Sequence, residues 1–177
     1  MLRQFGVEQV SILAGGLASW RAAGLPLQSG AVALNQSEFE ASEPQKDVIK
    51  SLTEMLLISH DGSCQIIDAR PANRFRAEAD EPREGVRRGH IPGALNVPWS
   101  ELAENGALKP DSQLREIFIR RGVDLKQPIV ASCGSGVTAA VVLLALTQLG
   151  VTQLSLYDGS WCEWGSRDDL PGVIVPH

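Results

Sequence analysis

Pro128-Ile129-Val130-Ala131-Ser132-Cys133-Gly134-Ser135-Gly136-Val137-Thr138 is the stretch that decides how this chain folds. Its first five residues are a short, mostly apolar run with β-branched members, the pattern of a strand covered on both faces. Beyond it, residues 139–146 are the longest apolar run in the chain, and residues 137–149 are predicted as an apolar helix. A buried strand, a Gly-rich turn and a helix form the repeating unit of a parallel α/β sheet. Open sheets of that kind bind ligands at the carboxyl ends of their strands, where Cys133 falls.

The flanking segments continue the alternation. A helix is expected from Asp47, with Val48, Leu52, Leu56 and Leu57 at helical spacing, then a short buried strand over residues 65–69. Residues 70–90 are polar and Arg-rich. A strand at 95–97, a helix at 111–121 with Leu114, Ile117 and Phe118 on one face, and a last strand at 154–157 complete the set. The predicted fold class is therefore α/β, three layers with a central parallel sheet and helices on both faces, joined by right-handed crossovers.

The chain also contains a piece of itself twice. Gln4-Phe5-Gly6-Val7-Glu8-Gln9-Val10-Ser11-Ile12-Leu13 answers Gln148-Leu149-Gly150-Val151-Thr152-Gln153-Leu154-Ser155-Leu156-Tyr157 at an offset of 144 residues. Trp20 and Trp164 share that offset. Both copies read as helix end, Gly stop, strand and a Trp-bearing segment. Residues 1–27 are accordingly expected to be the tail of a preceding domain of the same kind, residues 28–45 a linker, and residues 46–177 one complete domain.

Composition limits the function. The 177 residues are 44% apolar and 21% charged, with a net charge of −5 and a pI near 5.2. That is ordinary globular composition, without the basic face that nucleic acid or an anionic membrane requires. The longest apolar run falls far short of the roughly 20 residues that span a bilayer. Residues 1–5 lack the pattern of a signal peptide, so a cytoplasmic address is expected. Nothing in the residues specifies an oligomeric state.

Three cysteines, Cys64, Cys133 and Cys162, give an odd count with no Cys-x-x-Cys pair, which argues against a disulfide framework and a thiolate zinc site. Only Cys133 has chemistry written around it. Gly134 and Gly136 let successive N–H groups turn inward as an anion cradle, and the positive end of the next helix aims at the same point. Such surroundings lower a thiol pKa and make Cys133 a candidate nucleophile. Cys64 and Cys162 lack these neighbours and are read as bystanders. A cysteine phosphatase would carry an arginine six positions after the cysteine, where this chain has Ala139. Of the histidines, His90 opens the turn His90-Ile91-Pro92-Gly93-Ala94 and is read as structural; His60 and His177 are given no role.

With Ile67-Asp68-Ala69-Arg70, Gly89-His90-Ile91-Pro92-Gly93-Ala94, the Cys133 loop and Tyr157-Asp158-Gly159 in view, residues 46–177 resemble a rhodanese domain. The uncharged loop resembles that of the 3-mercaptopyruvate sulfurtransferases in this family; thiosulfate sulfurtransferases carry basic residues after the cysteine. The resemblance implies a rhodanese-like fold and a Cys133 persulfide, formed from 3-mercaptopyruvate with release of pyruvate. A thiol, a thioredoxin-like protein or cyanide then removes the outer sulfur. It implies that Arg74 and Arg83, nine residues apart, bind the substrate together with Gly134, Ser135, Gly136, Val137 and Thr138. Ser135 would join Cys133 in catalysis, handling the substrate thiol proton with partners from the preceding domain. No cofactor and no metal is implied. Thiosulfate sulfurtransfer, or a sulfur-carrying module with little turnover, stands as the alternative. Asp68 is expected to brace the framework, and Arg70, Arg76, Arg87 and Arg88 to be solvated or internally paired.

Overall fold

A computed structural model describes residues 2–33, 38–43 and 47–173. Met1, Lys46, His177 and part of the expected 28–45 linker lie outside the described residues. The chain divides into two compact units, residues 1–46 with 105–107, and residues 47–104 with 108–177. Among the described residues no helix is long and apolar enough to cross a membrane.

In the first unit, Leu2–Phe5 forms a 3-10 turn and Gly16–Ala22 a helix, α1, carrying Trp20. The Trp20 indole N–H donates to the Pro26 carbonyl over 3.0 Å. The strand expected within residues 10–13 is not formed. Ile12 and Leu13 are exposed, and among the described residues their main chain finds no neighbouring strand, without which a strand cannot satisfy its amides.

The second unit is the three-layer domain that the alternation predicts. Its sheet is built from β1 (Gln65–Asp68), β2 (Ala94–Asn96), β3 (Ile129–Ser132) and β4 (Leu154–Leu156), in the order β2-β1-β3-β4. Every pairing is parallel, with Ile67 opposite both Leu95 and Ala131, and Ala131 opposite Leu156. Two short helices, α3 (Ala72–Phe75) and α4 (Trp99–Leu102), follow β1 and β2. Because side chains alternate across a strand, the sheet feeds two cores. Ile67, Ile129 and Ala131 pack with Leu114, Ile117 and Phe118 of α5 (Asp111–Arg120) and with Val142 and Leu146 of α6 (Ala139–Gln148). On the other face Ile66 and Val130 meet Met55 and Ile58 of α2 (Leu52–Asp61), and Trp161 and Trp164 of α7 (Ser160–Trp164). Fully covering an aromatic of this size contributes about 2–3 kcal/mol over leaving it exposed.

Two boundaries differ from expectation by more than one residue. Asp47 does not start a helix: Val48 to Lys50 run beside β4, with Leu156 N–H donating to the Val48 carbonyl and Lys50 N–H to the Leu156 carbonyl, each 2.8 Å. The helix starts at Leu52 because Ser51 caps it, its hydroxyl accepting from Glu54 N–H while the Glu54 carboxylate takes the Ser51 N–H over 2.8 Å. Likewise α6 starts at Ala139, two residues after the predicted position. Residues 133–138 are spent on the loop, and Val137 points into solvent.

Candidate active site

Cys133 follows β3 directly and is 1% exposed. Burial pushes its thiol up. The Thr138 hydroxyl and the backbone amides of Ala139, Ser135 and Thr138 point at the sulfur and outweigh that cost, holding the pKa below the ordinary value. Thr138 sits at the N-cap of α6 but makes no side-chain cap bond; its hydroxyl serves the sulfur. Cys64 is pushed up instead, burial having no such donors to oppose it. A Thr138→Val variant is expected to move the pH midpoint of Cys133 alkylation upward, toward the value of a free thiol near 8.5. Iodoacetamide rates from pH 5 to 10 measure this; an unchanged midpoint removes Thr138 from the account.

The loop holds its shape through α7. Ser160 Oγ accepts from the amides of Cys133 (3.1 Å) and Gly136 (3.0 Å), and donates to the Tyr157 carbonyl over 2.8 Å. Gly136 has φ +76°, and a Cβ there would stand 2.6 Å from Asp158 Oδ1 and 3.0 Å from its carbonyl oxygen. Glycine is therefore required by both backbone and space.

A cavity of about 230 Å³ opens over the sulfur. Arg74, Arg83, Cys133, Gly134, Ser135, Val137 and Thr138 line it, as do Arg70, Trp99 and Cys162. Gly136 is the exception among the expected substrate-binding residues: it is buried under the loop and its amide is taken by Ser160, so it shapes the site without facing the cavity. The amide of Ala139, which the sequence reading did not include, faces the sulfur instead. Cys162, read as a bystander, nonetheless lines the cavity, because α7 packs on the loop.

The arginines differ in their freedom. Arg70 is buried, its Nη2 2.7 Å from Asp68 Oδ2 and its Nη1 2.8 Å from Glu81 Oε1. Asp68 also accepts the Arg70 backbone N–H over 2.9 Å, so both act as framework, as expected. Glu81 bridges to Arg74, whose Nε lies 3.2 Å from Oε1 and whose Nη2 bonds Oε2. Arg74 is thereby fixed over the loop, where a Cβ on Gly134 would come within 3.2 Å of its Nη2. Arg83 is exposed, and among the described residues no carboxylate pairs with it. Arg76 pairs with Glu78 and Arg88 with Asp80 at the surface, while Arg87 donates to the Leu170 carbonyl over 2.6 Å.

His90 is structural: its Nδ1–H donates to the Phe75 carbonyl over 2.8 Å, its ring stacks on Phe75 at 3.8 Å, and burial lowers its pKa. Among the described residues no group of three or more His, Cys, Asp or Glu side chains could hold a metal ion. What the geometry offers is an activated, shielded sulfur nucleophile beside one clamped and one free guanidinium. Such a site suits attack on a small anion, the guanidinium groups receiving a carboxylate.

Comparisons with known proteins agree with this geometry. The chain is 61% identical to the 3-mercaptopyruvate sulfurtransferase of Escherichia coli over 97% of its own length and 60% of that protein's. It is 40% identical to the human 3-mercaptopyruvate sulfurtransferase, covering 98% of the chain and 59% of the relative. It thus spans about 60% of the length of these curated relatives. The crystal structure of SseA from Escherichia coli superposes with a TM-score of 0.80 at 57% identity, covering 91% of this chain and 60% of that one. Residues 51–167 match the rhodanese-like domain, the span that holds the sheet, the Cys133 loop and both site arginines; the chain belongs to the rhodanese-like family.

Proposed function

We propose that this chain carries the catalytic domain of a sulfurtransferase that moves sulfur from 3-mercaptopyruvate to a thiol or cyanide acceptor. The observation that carries the reading is the uncharged Cys133 loop, whose amides and Thr138 hydroxyl converge on one buried sulfur. Kinship with proteins named 3-mercaptopyruvate sulfurtransferase supports it. A donor with one carboxylate needs a cation set apart from the sulfur cradle. Arg83 supplies a free guanidinium and Arg74 a fixed one, each charged hydrogen bond contributing about 1.5–3 kcal/mol.

In the reaction, Cys133 thiolate attacks the donor sulfur. The new S–S bond forms as the C–S bond breaks, and the electron pair leaves on carbon as the enolate of pyruvate. Ser135, exposed in the loop, passes the proton of the donor thiol to that carbon, and Cys133 keeps a persulfide. The acceptor then attacks the outer sulfur and returns Cys133 to its thiolate. The amides of Ser135, Thr138 and Ala139 stabilise the anion at both ends of this cycle. Gly134 and Val137 shape the cavity, and Gly136 holds the loop in place. No cofactor or metal enters.

A thioredoxin-like protein is a fitting acceptor, and three free cysteines suit a reducing, cytoplasmic setting. Residues 1–27 belong to a first rhodanese repeat on the strength of the internal repeat, residues 28–45 link the two, and residues 46–177 hold the site. Steady-state turnover with 3-mercaptopyruvate and with thiosulfate, under one acceptor, tests the assignment. Mercaptopyruvate is expected to be the better donor; a clear preference for thiosulfate overturns it in favour of the related activity.

A further inference from the structure

Cys162 takes no part in the reaction above, yet it stands in the wall of the same cavity as Cys133. The backbone keeps it there. Trp161 N–H donates to the Cys133 carbonyl and Cys162 N–H to the Gly134 carbonyl, each over 2.9 Å, so α7 and the loop are joined at successive residues. Arg74, fixed over Gly134 by Glu81, lines the same cavity as Cys162. The two sulfurs differ in access: Cys133 is 1% exposed, whereas Cys162 is partly exposed. Cys64, the third thiol, is not in the cavity wall.

We propose that Cys162 is a relay thiol, taking the outer sulfur from Cys133 and presenting it to the acceptor at the cavity mouth. This rests on the persulfide reading of Cys133. The Cys162 thiolate attacks the outer sulfur, and a new S–S bond to Cys162 Sγ forms as the bond from Cys133 Sγ to that sulfur breaks. The electron pair of the broken bond stays on Cys133 Sγ, which returns to thiolate, and the outer sulfur takes the proton that the Cys162 thiol gave up. One persulfide is consumed and one is made, so no oxidant or reductant is required. A persulfide carries its outer sulfur about 2 Å further into the cavity than a thiol does. The donors that stabilise the Cys133 thiolate also make it a good leaving group. A protein acceptor gains most, since its own thiol must reach the sulfur, and Cys133 lies nearly closed to it.

The test uses the full chain loaded with 3-mercaptopyruvate or with inorganic polysulfide, the second loading an activated thiol whatever the natural donor. Thiols and persulfides are trapped by alkylation, and cleavage after Tyr157 and Trp161 separates the cysteines for mass spectrometry. A gain of about 32 Da, one sulfur atom, is expected on Cys133 and Cys162 and not on Cys64. In Cys162→Ser the gain is expected on Cys133 alone, with transfer to a thioredoxin-like protein slowed several-fold more than transfer to cyanide. In Cys133→Ser neither position gains sulfur. Wild-type label confined to Cys133, or unslowed transfer in Cys162→Ser, overturns the relay while leaving the Cys133 persulfide standing. Label on Cys162 in Cys133→Ser, or on Cys64 as fast as on Cys162, also overturns it. No label with either reagent overturns the persulfide reading, and the relay with it.

Discussion

A Cys133→Ser variant is expected to fold normally and to transfer no sulfur above background. The exchange is nearly isosteric at a site that is 1% exposed, so packing against Ala131, Ala139 and Val142 changes little. The chemistry changes completely. A serine hydroxyl stays protonated where the thiol ionises, and the loop carries no side-chain base to activate it. The variant also exposes a linkage. Because the folded Cys133 pKa is depressed, the thiolate stabilises the wild type above the pKa of an unfolded thiol, near 8.5, and that contribution is lost as pH falls through the lower folded value. Urea melts from pH 5 to 10 should therefore show the wild type gaining on Cys133→Ser as pH rises. Parallel pH profiles overturn the claim that the loop stabilises the anion, and residual turnover removes Cys133 from the mechanism.

Asp68→Ala is expected to cost about 3–5 kcal/mol of folding stability, the range for breaking a buried ion pair by removing one partner. In a domain of this size that lowers Tm by roughly 10–20 °C. Arg70 cannot follow the change into solvent: its side chain is 1% exposed, packed 4.8 Å from the centre of the Trp161 ring, and tied to the Gly89 carbonyl over 2.8 Å. Without Asp68 its charge has Glu81 alone to balance it, and Glu81 also holds Arg74. Donor binding should weaken along with stability, seen as a raised KM. Adding Arg70→Met to Asp68→Ala should recover part of the stability, because the unbalanced charge goes with it. A Tm within a few degrees of wild type, or a double variant worse than the single, contradicts this account.

The fold was legible wherever a segment's own pattern matched its surroundings. Ile129 to Ser132 is apolar because both faces are covered, and Leu114, Ile117 and Phe118 share a face because one core takes them all. The candidate nucleophile was legible for the same reason: strand, glycines and helix start lie within eleven residues. Ser51 and Glu54 were a readable helix start that the apolar spacing from Val48 concealed. The remainder depends on residues far apart in the chain. Ser160 stands 27 residues beyond Cys133, and the sequence around it gives no sign that its hydroxyl will hold the loop amides. Arg70 and Glu81 sit in a stretch that reads as solvated surface, and only the packing of α7 shows Arg70 to be buried. Cys162 looked remote from Cys133 because its place in the cavity wall, like theirs, is set by a neighbour in space. The strand expected near Ile12 failed in the opposite way: its local pattern was right, but a strand exists only beside another.

The segment from Val48 to Lys50 has an effect beyond delaying the start of a helix. A strand at the border of a sheet offers a row of open amides and carbonyls onto which another chain can add, a common route to aggregation. Here Val48 and Lys50 occupy both hydrogen-bonding positions of Leu156, so the β4 border is covered at that residue by the chain's own backbone. A strand adding to the sheet on that side would have to displace this segment from Leu156, so the apolar, all-parallel core offers less of that border as a template.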